Sequence, residues 1–430
     1  MACAPLNQSW LLDYLFDLLT FRGRAELQTV CSIWAAARAR YESRALRSLV
    51  VTESDAVVNL AAFKALQTLT FTGTVPGFTK LVANSARRID VQLVLTSFAV
   101  SSWTNTVVPT SLACGSWITA LELSGYTLYF LAQRLSDLCC VERLVLNLRG
   151  CRFDLRSLFE HRSDENLMDL FDSVRHVVLR QAHHTRSLAW LELFQGLDTL
   201  ELVECAATVE DIPSLTAQRI RSLKVFHQVC GSDISPFWNL IELTLEHLGP
   251  PPDLDEAFVT RARQLQKLSL TNFILPCCVW NAPELRELAV CFQRSTFGGR
   301  LPMASQLSKL CLDIHHNPKD VPFADTGAKQ LDLFFACGHP TRLFAHMRAL
   351  RTLVLKTPSC FALPVAPMNT LTDLTSLAVL GPCVPDGPAF LSSLRGLTKL
   401  TELTWNPSSG PTVQCLRSLL PNCVVAEPPV

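Results

Sequence analysis

Thiol and imidazole side chains are the residues of this sequence best suited to chemistry, because both bind zinc and both take part in catalysis. The chain has 17 cysteines and 10 histidines among its 430 residues. The closest groupings join Cys311 with His315 and His316, and Cys337 with His339. Neither grouping contains the paired C-x-x-C spacing of a zinc site. The sequence therefore predicts no metal site and no cofactor.

Motifs of known catalytic sites are also missing from the sequence. It contains no nucleophile elbow, phosphate-binding loop or metalloprotease helix. The two glycines of FGGRLP, at residues 297–302, are not followed by the lysine and helix of a phosphate loop. We therefore expect a non-enzymatic protein with no catalytic residue and no small-molecule substrate.

The charge balance bears on the class of partner. Lysine and arginine total 38, which equals the 38 aspartates and glutamates, so the formal net charge is zero. A balanced chain has no general electrostatic attraction to nucleic acid or to an acidic membrane surface. Neither is expected as a partner.

The cysteines and the N-terminus bear on the compartment. The odd number of cysteines, scattered through apolar segments, favours free thiols in a reducing compartment over a disulfide framework. Asp13 and Asp17 interrupt the apolar part of the N-terminal stretch, which also lacks the basic start of a signal peptide. No apolar run reaches the roughly 18 residues that span a bilayer. The expected location is intracellular, either cytoplasmic or nuclear.

The elements that would position any functional side chain come from a repeated L-x-x-L-x-L pattern. One unit consists of Leu197, Leu200 and Leu202, and the next of Ile220, Leu223 and Val225. Ten such units begin at residues 197, 220, 240, 265, 285, 307, 328, 350, 374 and 400. Their intervals of 20 to 26 residues lie within the range of about 20–29 that is typical of leucine-rich repeats.

The repeat predicts the fold class. Residues two apart share one face of a strand, and stacking units enclose leucines that one unit alone leaves exposed. We predict an α/β leucine-rich repeat solenoid over 46–430, with a curved parallel sheet and convex helices or irregular segments. Repeats are regular over 197–425 and less regular over 46–196, where the unit around Ile89 is doubtful. The asparagine that usually closes each turn is missing at its offset, so irregular turns are expected.

The predicted working surface is the concave face of the sheet, where residues between the inward leucines point outward. Charges of both signs occur there, which disfavours a phosphate-binding track and suits a protein partner recognised by mixed polar contacts. For any single residue, a solvated strand position remains the simpler interpretation. The candidate contact residues are Glu201, Lys224, Glu242, Lys267, Glu287, Lys309, Asp332, Lys356 and Glu402.

Leucines at helical spacing predict a helical segment before the repeats, at residues 1–45. Its sequence YLFDLL is similar to the first-helix core of an F-box, and VCSIW is similar to the V-C-x-x-W of that family. The family's opening Leu-Pro pair is missing, and Gly23 replaces its frequent aspartate before the second helix. The residues that carry the resemblance are Leu11, Leu15, Phe16, Leu19, Val30, Cys31 and Trp34.

The resemblance to F-box/leucine-rich repeat proteins implies a function. F-box modules dock substrate adaptors onto the Skp1 subunit of cullin-RING ubiquitin ligases, so an Skp1-like subunit and a protein target are the implied partners. The alternative is that the same helices cap the end of the solenoid, as solenoids require. The protein would then be a structural scaffold of a larger assembly with no ubiquitin role.

Overall fold

The structure is a computed structural model of the chain. It describes residues 47–52, 60, 65–73, 81, 89–95, 118–124, 140–151, 155, 172–185, 187–228, 234–254, 256–275, 280–292, 301–315, 328–335, 347–356, 361–363, 370–380, 383–385, 394–405 and 413–427. These residues fall into two compact units, the first ending at Leu197 and the second beginning at Asp198.

The first unit is built on six parallel strands, each paired with the next along the chain. A 3-10 helix at Ala189–Leu193 follows them. The strands are β1 (Ser48–Thr52), β2 (Thr68–Gly73), β3 (Asp90–Leu95), β4 (Ile118–Ser124), β5 (Arg143–Asn147) and β6 (His176–Arg180).

The second unit continues the same arrangement with eleven strands in one parallel sheet, while β15 pairs with β17 in a separate two-stranded parallel sheet. The strands are β7 (Thr199–Val203), β8 (Ser222–Gln228), β9 (Glu242–His247), β10 (Lys267–Thr271), β11 (Glu287–Phe292), β12 (Lys309–Ile314), β13 (Gln330–Phe335), β14 (Thr352–Lys356), β15 (Phe361–Leu363), β16 (Ser376–Leu380), β17 (Cys383–Pro385), β18 (Glu402–Trp405) and β19 (Val424–Ala426).

Short helices occur in the connections between strands of the second unit. Among the described residues, none of the helices is long and apolar enough to cross a membrane. The α-helices are α1 (Ser214–Arg219), α2 (Glu256–Arg261) and α3 (Val413–Leu419), and the 3-10 helices are Val209–Asp211 and Ala262–Gln264.

The repeated leucines form the core, as the pattern predicts. In the unit centred on β10, Leu265, Leu268 and Leu270 are each at most 2% exposed. The register places Leu268 beside Leu243 of β9 and Leu288 of β11, so equivalent leucines stack from strand to strand. Burying each such side chain contributes about 1.5–3 kcal/mol. Each unit is therefore a leucine-rich repeat solenoid, and this part of the fold prediction is confirmed.

The segment around Ile89 is a genuine repeat, which the sequence left in doubt. Ile89 and Val91 are buried, and β3 pairs in parallel with both β2 and β4. The pairing with β4 contains a register shift between Val91 and Gln92. The long interval from Leu66 to Ile118 is therefore two repeats, the second of which has an irregular join.

In three turns, the residue immediately after the strand has the same backbone conformation. Gln181, Glu204 and Asn272 have φ of 53°, 53° and 63°, which is the left-handed region that non-glycine residues rarely adopt. Asn272 is also buried, and its side-chain amide donates to the carbonyl oxygens of His247 at 3.0 Å and Gly249 at 2.8 Å. This asparagine supplies the turn-closing hydrogen bonds of a leucine-rich repeat from one position earlier than the usual offset.

Candidate protein-binding surface

The strands of the second unit expose one face of their sheet, which we call the outer sheet face. Because successive side chains point to opposite faces, residues that alternate with the buried leucines share this face. The parallel register aligns them in rows that run across the strands. Three rows are distinguished by their position before, between and after the two buried strand residues.

The first row carries alternating charges on four successive strands: Glu242, Lys267, Glu287 and Lys309. Lys267 Nζ lies 3.1 Å from Glu242 Oε1. The hydrogen bond to Glu242, followed by the charges of Glu242 and Glu287, raises the pKa of Lys267. The positive and negative side chains therefore offer paired contacts to a ligand that bears both charges.

The central row runs from β9 to β13. Its first four side chains are small, and the fifth is an aspartate: Thr244, Ser269, Ala289, Cys311 and Asp332. All five are half-buried. Burial, followed by the charge of Asp332, raises the pKa of the Cys311 thiol. Between the longer side chains of the first row and the small central residues lies a depression of about 300 Å³.

The third row contains Thr271, Cys291, Asp313, Phe334 and Lys356 on β10 to β14. A second depression of about 190 Å³ lies between the central and third rows. Charged groups therefore flank the small central row on both sides.

Seven of the nine predicted contact residues line these two depressions. The first is bordered by Lys224, Glu242, Lys267, Glu287 and Lys309, and the second by Asp332 and Lys356. Glu201 on β7 is register partner to Lys224 and extends the central row. Glu402 on β18 occupies the first row but lies beyond both depressions.

The predicted docking residues of the N-terminal module lie outside the described part of the chain. This applies to Leu11, Leu15, Phe16, Leu19, Val30, Cys31 and Trp34.

Sequence analysis missed most of the third row. The same alternation that selected Lys356 after Leu355 also places Cys291 after Val290 and Asp313 after Leu312. His315 lies near Asp313, with 3.1 Å between Nε2 and Oδ1, whereas the thiol of Cys311 lies 3.7 Å from Asp332 Oδ2. The grouping of Cys311 with His315 suggested by sequence distance is therefore not the one that the fold assembles.

A second exposed feature lies away from these rows, in the connections that precede the strands. Trp238 is 56% exposed, and the guanidinium carbon of Arg261 lies 3.6 Å from the centre of its ring. Arg219, Arg221 and Trp238 border a depression of about 350 Å³. An exposed tryptophan is a common anchor of protein interfaces, which makes this cluster the natural competitor of the outer sheet face.

Comparisons with known proteins find likeness at the level of fold. No family model matches the chain, and no curated protein matches it. Among solved structures, an internalin of Listeria monocytogenes is 14% identical, with a TM-score of 0.32 over 94% of this chain and 92% of that one. The mouse RP105/MD-1 complex is 15% identical, with a TM-score of 0.47 over 88% of this chain and 65% of that one.

A third similar structure is the LRR ectodomain of the plant membrane receptor kinase GASSHO1/SCHENGEN3 from Arabidopsis thaliana, in complex with CASPARIAN STRIP INTEGRITY FACTOR 2. It is 13% identical, with a TM-score of 0.33 over 92% of this chain. The present chain spans about half the length of that ectodomain, with 52% of it covered.

Proposed function

We propose that this chain is a non-enzymatic recognition protein and that the outer sheet face of its second unit binds a protein partner. The observation that carries this proposal is the row of small side chains, Thr244 to Cys311, between two rows that contain charges. Small residues admit the partner's side chains, and the flanking charges fix its orientation. Mixed signs suit a protein segment that itself bears both charges.

The strand count supports an interface of sufficient size. Neighbouring strands lie about 4.8 Å apart, so β8 to β14 present a surface roughly 30 Å wide. A stable interface needs about 800 Å² from each partner. Two depressions along this width provide the concave features that buried partner side chains occupy.

Affinity purification with quantitative mass spectrometry tests the proposal. The wild-type chain is compared with the double variant Lys267→Glu/Lys309→Glu, which makes the first row uniformly negative. The double variant Arg263→Glu/Arg348→Glu, at two exposed positions outside the strands, controls for the same change in net charge, and Trp238→Ala tests the competing surface. We expect Lys267→Glu/Lys309→Glu alone to lose a specific partner at least tenfold. Capture of the same partners by all four proteins would contradict this role for the outer sheet face.

The finer proposal is that the protein is a substrate-recognition adaptor of an SCF-type ubiquitin ligase. It is supported by the F-box-like residues of 1–45 and by the repeats that follow them. In this arrangement the N-terminal helices dock an Skp1-like subunit, and the outer sheet face holds the target in a cytoplasmic or nuclear location. Ubiquitin transfer itself would be carried out by other subunits.

Co-expression with an Skp1-like protein tests the adaptor role separately. Deleting residues 1–45 should abolish co-purification, and Lys267→Glu/Lys309→Glu should preserve it. Binding retained after the deletion would remove the adaptor proposal. The scaffold alternative makes a different prediction for Trp34→Ala. The free energy of unfolding should then fall by about 3–5 kcal/mol, as is usual when a buried aromatic residue is replaced by alanine, and no partner should be lost. That result would mean that the helices only cap the solenoid.

A further inference from the structure

Three potential metal ligands of different chemistry converge at the end of β11 and β12. The thiol of Cys291, a carboxylate oxygen of Asp313 and an imidazole nitrogen of His315 all lie within 4.8 Å of one another. The three side chains are half-buried. Cys291 and Asp313 are direct register partners on adjacent strands, and His315 follows immediately after β12.

We propose that Cys291, Asp313 and His315 form a zinc-binding site on the outer sheet face. Thiolate, imidazole and carboxylate are the three side-chain types that bind zinc in proteins. A set of sulfur, nitrogen and oxygen disfavours magnesium and calcium, which require oxygen ligands. Three protein ligands leave one of four tetrahedral positions for an exchangeable water.

The separation of two ligand atoms already fits the metal. Tetrahedral zinc with bonds of about 2.1 Å to nitrogen and oxygen places those two atoms about 3.4 Å apart. His315 Nε2 and Asp313 Oδ1 are 3.1 Å apart. A small outward movement of the two atoms therefore admits the ion, and the thiol completes the set from the neighbouring strand.

The surroundings of these atoms also favour a cation. Asp313 Oδ1 is shielded from solvent and faces His315 Nε2, so a cation between the two atoms would be held away from bulk water. The ring of Phe334 lies 5.4 Å from that of His315 and restricts the orientation of the imidazole. Glu246, two strands away from Cys291 in the same row, contributes further negative charge near that thiol.

Zinc binding at this site releases a proton. Burial, followed by the charge of Asp313, raises the pKa of Cys291 to about 12, so the metal-free thiol is protonated at neutral pH. When Zn²⁺ forms its bond to sulfur, the thiol proton passes to the buffer.

Titration calorimetry of the untagged, metal-free full chain with zinc chloride tests the site, in a reductant that does not chelate metal. We expect one zinc ion per chain, with affinity lowered at least tenfold in Cys291→Ser and in His315→Ala. Cys311→Ser is the matched control, because this thiol lies on the same face one row away, and its affinity should equal that of the wild type. Magnesium and calcium should not bind.

Cobalt(II) provides a readout on the wild-type chain that does not depend on any variant folding. A tetrahedral site with one thiolate gives visible d–d bands and a sulfur-to-cobalt charge-transfer band in the near ultraviolet. The proposal is overturned if that charge-transfer band is absent, if zinc does not bind at one equivalent, or if binding is lost in Cys311→Ser and retained in Cys291→Ser. Because no partner protein is needed, failure here leaves the recognition proposal unaffected.

Discussion

Strands β5 and β6 of the first unit have the same leucine core as β9 and β10 of the second, but they also bury the other face of the sheet. In β5 and β6 the residue between the two core positions is valine, and both Val145 and Val178 are at most 1% exposed. In β9 and β10 the equivalent residues are Thr244 and Ser269, which are half-buried. Strands buried on both faces have continuous apolar sequences, whereas strands open on one face alternate. A single intervening position thus distinguishes strands that are buried on both faces from strands that are open on one.

Substituting that position in both units should give the largest effect. Val145→Asp places an unpaired carboxylate where no water reaches, so the free energy of unfolding should fall by about 4 kcal/mol or more. Ser269→Asp, which stays in contact with solvent, should change it by less than about 1 kcal/mol. Urea unfolding followed by circular dichroism measures both. Equal costs would show that the two faces do not differ in the way described.

The turn residues in the left-handed region offer a second comparison of the units, because each unit contains at least one. Asn272→Ala removes two hydrogen bonds from a buried amide and places alanine in the left-handed region, which should cost about 2–4 kcal/mol. Gln181→Ala in the first unit should change the free energy of unfolding by less than about 1 kcal/mol, because both residues carry a Cβ and are equally strained in the left-handed region. Asn272→Gly, which relieves the backbone but lacks the amide, should fall between them. If Asn272→Gly is more stable than the wild type, the amide bonds contribute less than the relief of the backbone.

A thiol on the outer sheet face is not necessarily reactive, and the alkylation rate of Cys291 measures its reactivity. Because the pKa of its thiol is raised to about 12, little thiolate exists at pH 8. Alkylation of metal-free protein at this residue should be at least tenfold slower than that of N-acetylcysteine, and its rate should keep rising up to about pH 12. Peptide mapping by mass spectrometry follows the reaction. A rate that levels off near pH 9 would contradict the raised pKa.

The smallest effect is expected from the ion pair in the first row. Glu242→Gln removes the partner of the fully exposed Lys267, and solvent-screened pairs contribute little to stability. Because the pKa of Lys267 is raised, any contribution is present below about pH 10.5 and is lost as the pH rises through the folded-state pKa. We expect an unchanged urea midpoint at pH 7 and a lower Lys267 pKa by NMR. A large loss of stability would mean that this row is structural.

Sequence periodicity predicts the core well because the leucine positions are set by strand geometry alone. Leu200, Leu243, Leu310 and Leu353 are all buried along common rows, as expected. The same alternation identifies most of the outer sheet face. Sequence periodicity does not identify the repeat at β3, where charged and polar residues obscure the spacing of the apolar positions. It also cannot pair Cys291 with His315, since they lie 24 positions apart and meet only through the strand register.

The strand register described above separates two kinds of sequence change. Each repeat contributes one side chain to each row, while its leucines point the opposite way into the core. Substitutions at row positions can therefore alter what the protein recognises without disturbing packing, and one repeat can change independently of the next. Duplication of a repeat would lengthen every row by one side chain, about 4.8 Å, and would change the length of partner that fits.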